Sequence, residues 1–202
     1  RVGNQNILMD PWLSDSLLGR FRRFPDPGPL NFEIPDPDLV LLSHHHWDHV
    51  HIPTLARLNK RTQFLIPKND QLKRILEILD FNDVQEVEPW QKTVFPWGNL
   101  WPTESRVPFG EVGFILETPD GTIWNMVDTV FSEQEIRKTK EVLSGPVQVC
   151  LAPYQNFDEM EIIMRSEQVN QSNLASFNAS LLIGLGADLI VPFADRKSTR
   201  LN

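Results

Sequence analysis

The chain has 202 residues and carries 19 Lys and Arg against 27 Asp and Glu, a formal charge of −8, with 41% hydrophobic and 23% charged residues. This is ordinary globular usage at the size of one domain, which excludes a disordered, collagen-like or low-complexity chain. The acidic balance, with no basic block longer than Arg22-Arg23, argues against a nucleic-acid groove or an anionic membrane surface as the main partner.

Taken in chain order, Ile7-Leu8-Met9 is a short apolar run closed by Asp10-Pro11, a buried strand that delivers Asp10 to a loop. Residues 19–38, punctuated by Pro25, Pro27, Gly28, Pro29, Pro35 and Pro37, read as a long irregular loop, and such loops are usually functional. Leu39–Leu42 is apolar without alternation, the pattern of a strand covered on both faces, and runs straight into Ser43-His44-His45-His46-Trp47-Asp48-His49. A helix is expected after Pro53, with Leu55 and Leu58, then a strand at Phe64–Ile66. Leu72, Ile75, Leu76 and Leu79 recur at spacings of three and four, which predicts a helix over 70–80 capped by Asn69 or Asp70.

From Val84 to Met126 the texture is β, with strands expected at 84–87, 93–95, 112–117 and 122–127, the last two joined at Pro119-Asp120-Gly121. Ser132 with Glu135 is a capping box opening a helix to about Leu143. A strand at Val147–Leu151, a helix from Ser166 to about Gly184 and a strand at Leu189–Val191 follow. Strands and helices alternate, so sheets flanked by helices are expected. Asp195–Asn202 reads as the translation of a common sequencing adapter, and residue 1 is not Met; the natural domain is therefore expected over 1–194, incomplete at both ends, with 195–202 an extraneous tail.

Cys150 is the one cysteine, so no internal disulfide forms, and with no charged-then-apolar leader a cytoplasmic location is expected. No stretch approaches the roughly 18 apolar residues of a membrane span.

Four ligand-type side chains lie within six residues, His44, His46, Asp48 and His49. In an extended segment positions i and i+2 point the same way, so His44 and His46 can grip one ion, while Asp48 and His49, past the bend, can face a second. Imidazole and carboxylate without thiolate suit zinc, iron or manganese. A single histidine in such a place is more often structural; a cluster at the carboxyl end of a buried strand is where α/β sheets put their sites.

Asp10-Pro-Trp-Leu after a strand, Ser43-His44-x-His46-x-Asp48-His49, and Asp128 after the strand ending at Val127 resemble the metallo-β-lactamase fold family. Met9–Leu13 and Pro192–Ala194 are similar, more weakly, to its branch holding CMP-N-acetylneuraminate hydroxylase, with ascorbate-6-phosphate lactonase-like and N-acyl-phosphatidylethanolamine phospholipase D-like hydrolases as neighbours. The resemblance implies an α/β fold, an αββα sandwich of two mixed β-sheets with helices on the outer faces. It assigns His44 and His46 to a first metal, Asp48 and His49 to a second, Asp128 to a bridge between them, and Asp10 to supporting the histidines.

Two departures stand out. Residues 101–109 hold no histidine where the family supplies a third one, leaving Glu104 in a polar loop as a possible replacement that would favour iron or manganese. After His51 the chain has no histidine at all. His45 is expected to pack away from its neighbours, and His51 and Trp47 to support the site or contact substrate.

One or two divalent ions, zinc first, are the implied cofactors. With two ions, Asp48, Asp128 and a hydroxide, the site carries roughly +1, so an acidic protein can attract an anionic small molecule. The expected function is hydrolysis of an ester, lactone or phosphodiester, with Asp48 and His49 catalytic. The alternatives are a module of a Rieske-type hydroxylase, whose iron–sulfur ligands would have to lie upstream, and a non-catalytic binding scaffold. Nothing in the sequence addresses the oligomeric state.

Overall fold

A computed structural model describes residues 1–14, 16–17, 21–22, 36–107, 110–153 and 174–193. The chain forms two compact units, Arg1–Glu88 and Pro89–Asn202.

In the first unit, β1 (Ile7–Met9), β4 (Leu39–Leu41), β5 (Gln63–Pro67) and β6 (Val84–Val87) form one sheet in that order. All three pairings are parallel. The short β2 (Ser16–Leu17) and β3 (Phe21–Arg22) pair antiparallel; β3 falls inside the expected loop 19–38 and β2 just before it, and residues 18–20 and 23–35 lie outside the described residues. Val40, Leu42, Phe64 and Ile66 pack with Val50, Leu55, Leu72, Leu76 and Phe81 in one core cluster. Leu39, Leu41 and Leu65, pointing the other way, are buried too, which is why the run 39–42 shows no alternation.

Helix α1 (Ile52–Leu55) is a single turn with Pro53 near its start, and Leu58 falls beyond it. Helix α2 (Asp70–Ile78) is capped by the Asn69 side chain, which accepts from the Gln71 and Leu72 amides, settling the choice between Asn69 and Asp70. It ends two residues before the expected 80, because Asp80 turns left-handed at φ 68. The Asp80 amide then donates to the Glu77 carbonyl and Phe81 to Leu76, a Schellman closure whose apolar contact is Phe81 on the core.

The second unit holds a six-stranded sheet in the order β12, β11, β10, β9, β8, β7. Strands β7 (Thr93–Phe95), β8 (Gly98–Glu104), β9 (Val112–Thr118) and β10 (Gly121–Asn125) form an antiparallel meander. Strands β11 (Val149–Pro153) and β12 (Leu189–Phe193) add in parallel. Helix α3 (Glu133–Val142) has the expected capping box at Ser132 and Glu135, and helix α4 (Leu174–Leu185) precedes β12. Residues 166–173 of the expected last helix, Ala194 and the 195–202 tail lie outside the described residues. Trp124, Cys150 and Ala152 on one face of this sheet pack with Ile136, Leu181 and Leu185 of the two helices.

Two expectations need correction. Of the two sheets, the second is mixed while the first is parallel throughout its described strands. Residues 98–104 form strand β8, where the reading from sequence placed a loop over 101–109. Pro102 misled that reading. It pairs with Phe114 of β9, and on its other side, beyond the Thr93–Leu100 end of the β7 pairing, its carbonyl still accepts the Trp90 amide at 2.8 Å, so its missing N–H falls at the end of that ladder, where proline is tolerated.

Candidate metal centre

Strand β4 ends at Leu41, and parallel pairing carries the chain one step further on each side: the Asp10 amide donates to the Leu41 carbonyl at 3.0 Å, and the Leu42 amide to Leu65 at 3.0 Å. Asp10 and Ser43 therefore arrive together at the carboxyl edge of the sheet. Asp10 takes φ 42, a left-handed conformation that Asp tolerates better than most residues, and this turns its carboxylate across to the neighbouring strand end.

That carboxylate is a hub. Asp10 Oδ1 accepts the Ser43 amide at 2.8 Å, and Oδ2 accepts the Ser43 hydroxyl at 2.6 Å and lies 2.9 Å from His49 Nδ1. An ionised carboxylate only accepts, so His49 Nδ1 carries the proton of that bond. The Ser43 hydroxyl has one hydrogen, spent on Asp10, so at 2.9 Å it accepts from His44 Nδ1–H. In the neutral form of the two rings this arrangement leaves Nε2 unprotonated, the form in which imidazole ligates a metal.

The backbone then folds back. The amides of His49 and Val50 both donate to the His46 carbonyl, at 3.0 and 2.8 Å, making a turn that returns His49 to 4.1 Å from His44, centroid to centroid. His44 Nε2 faces His46 Nδ1 at 2.9 Å, with the rings edge to face. Asp48 Oδ2 lies 3.8 Å from His49 Nε2. His44 is fully buried, His46, Asp48 and His49 partly so.

These residues fit a divalent ion. Two nitrogens bound tetrahedrally at about 2.0–2.1 Å stand ~3.3 Å apart, so the facing pair needs to open by only a few tenths of an ångström for a cation to replace the one proton between them. The donor set is nitrogen and oxygen without sulfur, which suits zinc, iron or manganese.

The other expected residues fall as follows. His51 is buried; its Nδ1 lies 2.7 Å from Thr54 Oγ1 and its Nε2 3.3 Å from Ser14 Oγ, which also accepts from Trp12 Nε1. Thr54 Oγ1 accepts the Leu13 amide as well, so His51 ties the segment after Asp10 to α1, and burial holds its pKa below the ordinary value. His45 approaches Asn69 Nδ2 at 3.3 Å, and burial together with the neighbouring His46 lowers its pKa. Trp47 is 61% exposed. Cys150 is buried, which pushes its thiol up to about 12 and leaves it inert.

Two expected residues lie in the second unit. Asp128 is half-buried in the turn after β10, next to Val127 at φ 53. A β-branched residue rarely adopts that conformation; here the Asn125 side chain accepts the Val127 amide, and Thr129 donates twice to the Met126 carbonyl. Glu104 ends strand β8 as an exposed residue, not within a loop, and lines a cavity of about 300 Å³ with Trp90 and residues of α3. Ser43 opened the motif in the reading from sequence but was given no role there; a hydroxyl next to a histidine carries no spacing signal.

The profile of the Beta-lactamase superfamily domain matches residues 5–180. The chain belongs to this superfamily. A superfamily relative, a metal-dependent hydrolase from Methylacidiphilum infernorum, is 27% identical over 137 residues, which is 63% of this chain and 56% of the relative; the match thus spans little more than half of the relative's length. Among solved structures, the chain is similar in fold to CmlA, a diiron β-hydroxylase from Streptomyces venezuelae, at a TM-score of 0.66 and 18% identity, covering 92% of this chain and 40% of that one. It is similar also to an isothiocyanate hydrolase from Delia radicum gut bacteria, at a TM-score of 0.62 and 14% identity, covering 96% and 92%. No described helix is long and apolar enough to cross a membrane.

Proposed function

We propose that the protein is a metal-dependent hydrolase that cleaves an ester, lactone or phosphodiester bond of an anionic small molecule. The observation that carries this reading is the hydrogen-bonded cluster centred on Asp10, in which Ser43 and His49 meet its carboxylate, His44 meets Ser43, and His44 Nε2 faces His46 Nδ1 at 2.9 Å. In this reading His44, His46, Asp48 and His49 hold zinc, or iron or manganese, and Asp128 adds a carboxylate, as the superfamily resemblance implies. A divalent ion polarises the scissile bond and acidifies water at neutral pH. The chain's own part is to fix the imidazoles through Asp10 and Ser43, and to offer Asp48 Oδ2 as proton acceptor next to His49. The M. infernorum metal-dependent hydrolase and the gut-bacterial isothiocyanate hydrolase support hydrolysis.

The test is metal content by mass spectrometry together with hydrolysis of bis-nitrophenyl phosphate, nitrophenyl acetate and a simple lactone. His46→Ala is expected to lose metal and at least a hundredfold in activity; activity unchanged in that variant would overturn the mechanism. A second reading, an oxygenase module, is favoured by one feature: residues 52–202 hold no histidine, so within this sequence the candidate further ligands are carboxylates such as Asp128 and Glu104, donors that favour iron or manganese. The similarity to a diiron hydroxylase points the same way. Purification with stoichiometric iron and no hydrolysis of any probe would support it over the first.

A further inference from the structure

Next to the histidine motif, and wholly within the first unit, lies a cavity of about 850 Å³. That is a volume at which small-molecule sites occur, roughly 300–1,000 Å³. One wall is the motif itself, His45, His46 and Trp47, and the other is α2, with Gln71, Arg74 and Ile75. Positions 71, 74 and 75 recur at three and four, so they share a helix face. Val50, itself buried, lines it as well.

Trp47 stands between His46 and Asp48 and is 61% exposed as a residue, whereas Trp124 of the second unit is fully buried. A large aromatic group left open to water beside candidate metal ligands is placed to meet a ligand. The charged residues along the cavity, Asp70 and Arg74, are of opposite sign, and Arg74 is paired with Glu77 at 3.2 Å in an exposed ion pair. Between them the cavity walls offer no concentrated charge of one sign, and Trp47, Val50 and Ile75 supply apolar surface.

Resting on the hydrolase reading, we propose that this groove receives the acyl or aryl group attached to the scissile bond, with Trp47 and Ile75 as its apolar walls and His46 at its reacting end. The substrate class is then an ester or lactone carrying several carbons beyond the carbonyl, its polar centre at the histidines and its apolar arm along α2.

Nitrophenyl acetate and nitrophenyl octanoate, compared on the zinc-loaded protein, separate the arm from the centre. The protein is expected to prefer octanoate, and Trp47→Ala to lower the octanoate-to-acetate ratio of kcat/KM about tenfold, the scale on which apolar pockets discriminate. Independently of turnover, sodium octanoate is expected to shift the indole N–H resonance that Trp47→Phe removes, and Ile75→Asp to abolish the response of the Trp47 resonance. Trp47 is largely exposed, so its replacement leaves the fold intact and the test decidable. Equal kcat/KM for the two esters, or an indole resonance that octanoate does not move, overturns the groove. If neither ester is hydrolysed, nor bis-nitrophenyl phosphate nor a simple lactone, but octanoate still shifts the resonance, the hydrolase reading fails and the apolar site stands.

Discussion

Replacing Asp10 by Asn tests the hub of the site without changing its shape. Asn tolerates the left-handed φ 42 of this position as Asp does, so the backbone turn is preserved and only the acceptors change. Asp10 Oδ1 receives the Ser43 amide, and Oδ2 receives both the Ser43 hydroxyl and His49 Nδ1. An amide has one oxygen. With that oxygen at the Oδ2 position, its NH₂ confronts the Ser43 amide; flipped, it confronts the hydroxyl and the ring N–H. The first orientation leaves the buried Ser43 amide facing a donor, and the second is satisfied only if His49 moves its proton to Nε2, the atom a metal would need, so neither keeps the charged acceptor and the ligating form together.

A buried group left without its partner costs about 1–3 kcal/mol, and hydrogen bonds to charged groups contribute about 1.5–3 kcal/mol. Asp10→Asn should therefore destabilise the metal-free protein by about 2–3 kcal/mol, a large part of a typical stability of about 5–15 kcal/mol. The assay is urea denaturation of the chelator-treated protein. A second readout is zinc affinity by competition with a chromogenic chelator, expected to fall about 10–100-fold as for other carboxylates behind a ligating histidine. An Asn variant within about 0.5 kcal/mol of the parent would refute the hub, and unchanged zinc affinity would refute its link to the metal.

Ser43→Ala removes the acceptor of His44 Nδ1–H but leaves the Asp10–His49 bond, so zinc affinity should fall by less than in Asp10→Asn, as read by the same competition. Glu117 accepts from Asn99, Trp101 and both the amide and hydroxyl of Ser144, and these bonds outweigh its partial burial to hold its pKa at about 2. Its folded value is depressed, so its stabilisation is complete above about 4.5 and is lost as pH falls through about 2; the difference in urea midpoint between the parent and Glu117→Gln should shrink between pH 5 and pH 2.5, and a constant difference would refute the assignment. Gly98 has φ 148, and a Cβ there would sit 2.3 Å from the Glu117 carbonyl oxygen; Gly98→Ala should cost about 2 kcal/mol or more, a fall in Tm of about 4–8 °C, and an unchanged melt would refute it.

The sequence is most legible where one local cause acts alone. The unbroken apolar run 39–42 announces a strand covered on both faces, and Ser132 with Glu135 announces a helix start because the two side chains satisfy each other's amides. Pro119-Asp120-Gly121 announces a hairpin whose register, Gly121 opposite Thr118, follows from that turn. Strand β8 is illegible because Pro96, Gly98 and Pro102 speak for a loop, and only the neighbouring chain shows that Pro102 sits at the end of its pairing with β7, its carbonyl still accepting the Trp90 amide. Within the site, the motif gives the ligand types. The turn that returns His49 to His44 rests on two backbone bonds to one carbonyl, which no side-chain periodicity records, and the part of Ser43 depends on where Asp10 lies across the sheet.

Sheet register and metal chemistry are thus coupled through one carboxylate. Met9 pairs with Leu41, and the next residues on each strand, Asp10 and Leu42, already belong to the site's approach. A slip of one residue between β1 and β4 would turn Asp10 away from Ser43, and with it both imidazole tautomers would lose their cause. Because the strands are parallel, their carboxyl ends lie at one edge, and residues far apart in sequence meet there without a long loop to order. A turn held by the sheet keeps His44 and His49 oriented before any ion arrives, so binding does not have to order them. The same edge leaves Trp47 outside the core, between two candidate ligands, where it contributes little to stability and is open to a substrate.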